Sequence, residues 1–441
     1  MIITPTNVQN IQSIRNNSTF PSYFKISILL LILVQVPFWS WKTSGVLEQT
    51  TNWNDYGWGY RYILKNTIVG DWPIQKENMF YINHHLAFLG TPEVVVDYGS
   101  GFELHRALYG VLTKGLWFLG PILSGFMINI LFWYAAALAA AFIASRLIPN
   151  SSFAIWAAGL LVGTSQGFLY SVGEVSPHVL GYAAGYLIIA FAFYKRIWKK
   201  ETSWHDQLLI YLWIGILKNA YEAAWLSLPI IFSLTLYREY QLGFSTLKNI
   251  IKRTMALLGL LCAAIIPSLL FTFITSIFMQ AQGILHFLFD AMKNFSIQQI
   301  LKVYLQVTWE GITALGPIIV PLYFFGFLIA WRKKNTALLS LGLLSLLQLF
   351  LIGLLLIPVS GRGYVTFGVS TLVIILSALT LNTLWETKKF RFIPIILLIL
   401  LFCYNNAPLL GYRLPSLGFY MGYQPWLQAG HWQEYDVVPF D

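Results

Sequence analysis

Charge is scarce in this chain, and so are cysteines and nucleotide or zinc signatures. Only 10% of its 441 residues are Asp, Glu, Lys or Arg, where a soluble domain carries about a quarter. So few charges do not make a water-facing surface, and lipid is the implied solvent. The two cysteines, Cys262 and Cys403, lie in apolar stretches at opposite ends of different spans and read as core thiols. No CxxC, HExxH or Walker A pattern occurs, and no GxGxxG in its proper context. An Asp-rich magnesium cluster is missing as well. His84 and His85 are adjacent, so on a helix they diverge by about 100° and do not clamp one metal. No aromatic-basic stripe or soluble module points to nucleic acid.

What the chain has is apolar length: 57% of it is hydrophobic. A span needs roughly 20 apolar residues. Eleven stretches qualify or come close: Tyr23–Trp41, Phe118–Ser145, Ser152–Tyr170, His178–Tyr194, Gln207–Leu217, Ala223–Tyr237, Thr254–Phe278, Ile312–Trp331, Ala337–Val359, Tyr364–Leu384 and Phe392–Tyr404. Gln207–Leu217, Ala223–Tyr237 and Phe392–Tyr404 are short, as tilted or broken helices would be. The expected fold is an all-α integral membrane bundle of about eleven helices. Its parts are a cytoplasmic tail over 1–22, a polytopic domain over 23–404 that includes an outer loop over 42–115, and a short outer segment over 405–441. Tyr23–Trp41 is followed by Lys42 and Thr43 rather than small residues, which reads as a retained anchor.

The net charge of +10 is unevenly distributed. With the N-terminus inside, the inner segments hold 17 of the 28 basic residues and four of the 18 acids. They include Arg146, the Lys195–Lys200 turn, Arg238, Lys248, Lys252, Arg253, Arg332–Lys334 and Lys388–Arg391. Short basic loops stay in the cytoplasm, so the C-terminus is expected outside, and the expected location is a bacterial inner membrane. The basic excess is then a topology signal.

The outer loop over 42–115 is the most acidic part of the chain and is crowded with aromatics. Asp55–Lys65 reads as a helix with Tyr56, Tyr60 and Ile63 on one face. Ile82–Gly90 reads as a second, interfacial one. Asp55 sits at the head of the first. A carboxylate there, desolvated or held ionised by helix N–H groups, suits a general base; an N-cap aspartate is the plainer reading. The run Asp97–Tyr109 supplies two acids and Arg106, a fork that suits phosphate or a snorkelling anchor. Glu174 lies in an outer turn. Lys218 and Glu222 share a turn between two short spans, which therefore lies below the membrane surface. Charges at that depth line a cavity or pair with each other. Arg362 is a lone outer cation that holds either a lipid-linked phosphate or a headgroup.

In order along the chain, these segments resemble the polytopic GT-C glycosyltransferases, the mannosyltransferase and aminoarabinose-transferase-like group. Asp55-Tyr56-Gly57-Trp58-Gly59-Tyr60 is similar to that family's acid-led loop helix, with the aromatic one place later. Arg106-Ala107-Leu108-Tyr109-Gly110 resembles its Arg-Pro-Leu-Tyr-Pro element with both prolines missing. Ala136–Arg146 resembles its small-residue span ending in a basic residue. Gly173-Glu174-Val175-Ser176, Lys218-Asn219-Ala220-Tyr221-Glu222 and Arg362-Gly363-Tyr364 follow in the family's order. The acid is not doubled as Asp-Glu, unlike the protein O-mannosyltransferase branch, and the large soluble C-terminal domain of some members is missing.

The resemblance implies sugar transfer on the outer face, from a polyprenyl-phosphate donor to a lipid, glycan or protein hydroxyl. Asp55 would be the base. Arg106, Lys218 or Arg362 would neutralise the leaving phosphate, with Glu222 beside them and Asp97 or Glu174 as a second acid. No cofactor is required, although a divalent metal between Asp55 and Asp97 stays open. Membrane lipids are the other expected partners. From other classes, the alternatives are a transporter or flippase of lipid-linked or anionic solutes and a non-catalytic subunit of a membrane assembly.

Overall fold

In the computed structural model, the described residues are 80–81, 97–98, 108–109, 112, 115–119, 121–148, 151–165, 168, 178–218, 222–243, 246–279, 297–298, 301, 318–335, 338–344 and 371–406. They are helical apart from turns and one two-residue antiparallel pairing, β1 (Phe80–Tyr81) with β2 (Asp97–Tyr98). The helices are α1 (Pro121–Leu147), α2 (Ser152–Gly163), α3 (His178–Lys195), α4 (Trp204–Leu217), α5 (Leu228–Leu242), α6 (Leu247–Met279), α7 (Ile319–Arg332), α8 (Thr371–Glu386) and α9 (Ile393–Asn406). Two of them contain stretches long and apolar enough to cross a membrane, Met127–Leu147 and Leu247–Leu270.

These boundaries have local causes. Ser151 caps α2 by accepting the Ala154 N–H at 3.1 Å. Ser203 caps α4 by accepting the Asp206 N–H at 3.1 Å and donates its hydroxyl back to the Asp206 carboxylate at 2.9 Å. Pro229 lies in the first turn of α5, where its missing N–H would have had no helical acceptor. α3 closes as Arg196 takes up the left-handed conformation that ends many helices.

Several boundaries differ from the sequence reading. The stretch Ala223–Tyr237 is a 3-10 segment, Glu222–Ser227, that turns into α5 and runs on to Leu242. α6 starts at Leu247 rather than Thr254, because Lys248, Lys252 and Arg253 lengthen the helix beyond its apolar part. The described part of the third apolar stretch, Ser152–Tyr170, forms α2 only as far as Gly163. The Tyr23–Trp41 span, the two loop helices and the outer segment from Asn405 onward lie wholly or almost wholly outside the described residues.

Small residues let the helices approach closely. In α1, Ala136, Ala137, Ala140 and Ala144 are fully buried, and α1 packs against α2, α3 and α8. The Trp133 indole N–H donates to the Gly163 carbonyl at 2.9 Å. Two glycines are required by contact. A Cβ on Gly215 of α4 would lie 2.5 Å from the Ala264 carbonyl oxygen of α6, and one on Gly326 of α7 would run into the Leu376 carbonyl of α8.

The packing also sets direction. Trp133 meets Gly163 while Ala137 and Ala141 lie against Gly159, so α1 and α2 are antiparallel. Lys195 reaches Asp206 at 2.7 Å, which folds α4 back along α3. Tyr211 donates its hydroxyl to Thr235 at 3.1 Å and Gln207 lies against Arg238, so α5 runs against α4. Arg253 joins this level, and Ala264 lies beside Gly215 further along, so α6 runs with α4. The turns at 146–151, 196–203 and 238–253 and the C-terminal end of α8 therefore meet at one end, the basic end. Ser151 donates to Asn382 across it, and Arg196 lies within electrostatic reach of Arg146.

The lateral surface is apolar. Leu258, Ile265, Ile266, Leu269 and Leu270 of α6 are exposed, as are Phe324, Phe325 and Leu328 of α7 and Ile395, Ile396 and Ile399 of α9. Cys262 and Cys403 lie on this surface rather than in the core, because each falls on the face of α6 or α9 turned away from its neighbours.

Candidate functional site

At the end opposite the basic turns, buried aromatic side chains meet the cation of Lys218. α4 climbs from Trp204 to Leu217, about 20 Å at 1.5 Å per residue, and ends in Lys218. The Lys218 backbone N–H donates to the Ile214 carbonyl at 3.0 Å, and the residue is 3% exposed. Its ammonium lies 5.5 Å from the centre of the Trp225 ring, a cation–π arrangement. Trp225 belongs to the Glu222–Ser227 segment, which packs on α3 and is closed by the Ser227 hydroxyl donating to the Ala224 carbonyl at 2.7 Å. A desolvated ammonium attracts negative charge far more strongly than one in water.

At the same end lie the first turns of α3. Tyr182 and Tyr186 are buried against Phe168, with ring centres 5.6 and 6.1 Å away. Tyr109 is fully buried and packs with Ile128 of α1 and Leu180 of α3. The segment that resembles the Arg-Leu-Tyr element thus lodges at the same end of the bundle as the Lys218 turn.

Of the candidate site residues named from sequence, Lys218 is the one whose side chain is described, and it is buried within the protein. Glu222 opens the 3-10 segment. Lys218 is the C-terminal cap of α4. Asp97 stands in β2 opposite Tyr81. Asp55, Arg106, Glu174 and Arg362 lie outside the described residues. Among the described residues no group of three or more His, Cys, Asp or Glu side chains could hold a metal.

The basic end holds a cluster that sequence reading missed. Glu239 is 4% exposed. One carboxylate oxygen accepts from Arg238 and the other from Arg253 at 2.8 Å. Arg253 also donates to the carbonyls of Gly243 at 2.8 Å and Leu242 at 3.0 Å, capping the C-terminal end of α5. Arg238 donates to the Thr202 carbonyl at 2.8 Å and, with the amide turned to satisfy both of its ends, to the buried Gln207 side chain at 2.9 Å. One carboxylate so ties α4, α5, α6 and the 196–203 turn together. The signal was an acid next to an arginine in a turn otherwise rich in cations. Beside it, outside the apolar spans, Asp206 is held below the usual carboxylate range by the hydrogen bond from Lys195 and then that from Ser203. Lys195 is raised in turn, chiefly by the same bond.

No protein-family model, curated protein or solved structure matches this chain.

Proposed function

We propose that this chain is a polytopic membrane glycosyltransferase of the GT-C kind. It moves a sugar from a polyprenyl-phosphate donor to a lipid, glycan or protein hydroxyl on the extracytoplasmic face. Embedding in a bilayer is supported by the large apolar side chains exposed along α6, α7 and α9. Water would leave that surface uncovered, and acyl chains cover it.

The observation that carries the reading is Lys218: a buried cation beside an indole, at the end of the bundle opposite the basic turns. Transfer from a lipid phosphate builds negative charge on the leaving phosphate, and a fixed cation in a water-poor site stabilises that charge as it develops. In this reading Asp55 takes the proton from the acceptor hydroxyl. Arg106 or Arg362 adds a second positive group, Glu222 holds the Lys218 side of the site, and Asp97 or Glu174 stands by as a second acid.

The test replaces Asp55 with Asn and follows glycan modification in membranes alongside protein abundance. Lost transfer at normal abundance is the expected result. Unaffected transfer overturns the assignment and puts the transporter or scaffold alternatives ahead.

A further inference from the structure

The ion pairs of the basic end use only part of its charge. Lys195 faces Asp206, and Arg238 and Arg253 share Glu239. Of the other acids there, Glu386 receives the Asn382 amide at 2.8 Å and Glu201 is exposed. Lys248, Lys252, Lys388, Lys389 and Arg391 are exposed as well, and they fall on two elements.

The first is the opening of α6. Lys248 and Lys252 lie one turn apart, interleaved with Leu247, Ile251 and Met255, which are 73%, 52% and 64% exposed. The second is the link between α8 and α9, where Phe390 and Phe392 are exposed among the three cations. The Lys389 ammonium lies 5.8 Å from the Phe390 ring centre, and the Arg391 guanidinium lies 4.8 Å from that of Trp385. Trp385 stacks on Phe153 of α2 at 4.5 Å, which holds the link against the bundle.

A surface with bulky apolar groups and cations in the same turn suits neither plain water nor hydrocarbon. It suits the boundary between them, where the apolar groups sink and the long cationic side chains reach phosphates. A nucleic acid or an acidic protein would answer the charges but leave Leu247, Ile251 and Phe392 uncovered. We propose that the opening of α6 and the 388–392 link, both at the basic end, are each a docking site for anionic phospholipid headgroups. This rests on the membrane reading above and is independent of sugar transfer.

The experiment strips lipid from the detergent-purified protein, titrates it with phosphatidylglycerol or phosphatidylcholine, and counts retained lipids by native mass spectrometry. Phosphatidylglycerol is expected to be retained about tenfold more tightly, because each lysine or arginine near an anionic surface adds attraction. High salt is expected to abolish the preference. The combined variant Lys248→Gln, Lys252→Gln, Lys388→Gln and Lys389→Gln, checked for unchanged helicity, is expected to retain both lipids alike. Equal retention by the unaltered protein, a preference that survives high salt, or a preference that survives in the folded variant overturns the proposal. Release of the protein from membranes by alkaline carbonate overturns the membrane reading itself, so the two failures are distinguishable.

Discussion

Arg253 donates to Glu239 at 2.8 Å while the same guanidinium holds the last carbonyls of α5. The turn between α5 and α6 is closed by this one side chain, and Glu239 extends the closure to Arg238 and, through it, to the 196–203 turn.

Removing Glu239 therefore leaves two arginines facing each other with their shared counter-charge gone. Glu239→Ala is expected to destabilise the protein by about 3–5 kcal/mol, the range for breaking a buried ion pair from one side. Thermal unfolding of the detergent-solubilised protein measures this. Arg253→Ala should also lower the Tm, and the two losses should not add, because both break the same network.

Helix contact at Gly326 admits no side chain. Gly326→Ala pushes a methyl group into the Leu376 backbone, and backbone yields less readily than a flexible side chain. The expected loss is about 1–3 kcal/mol, read as a lower Tm and faster proteolysis. Gly342→Ala meets only the Leu376 and Phe327 side chains and is expected to be milder.

The Lys195–Asp206 pair has a defined pH signature. Asp206 is depressed from 3.8, so its contribution is complete above that value and lost as pH falls through the lower folded value. Lys195 is raised from 10.5, so its contribution is complete below that value and lost as pH rises through the higher folded value. The Tm difference between the unaltered protein and Asp206→Asn is expected to be flat in between and to shrink at both extremes. A difference that peaks near neutrality would contradict the assignment.

Charge at Lys218 and its bulk are separable. Lys218→Met keeps most of the volume and removes the cation, and sugar transfer is expected to fall on the order of 10²-fold, as for losing one group that stabilises developing charge. Turnover with purified donor lipid measures it, and Lys218→Arg should restore part of the rate.

Residue order alone determined that the described chain is helical, because helix formation in an apolar run is a local property. A run of apolar residues declares a helix wherever it lies, and α3 and α9 open within a residue of where their apolar runs begin. Which cations are neutralised and which remain outward was decided only by tertiary packing. Arg253 and Glu239 stand fourteen residues apart and Ser151 and Asn382 231 apart, and such pairings depend on which helices become neighbours. The two cysteines make the same point: apolar surroundings in sequence look alike whether a side chain turns to the core or to the lateral surface, and helix packing alone turned both outward.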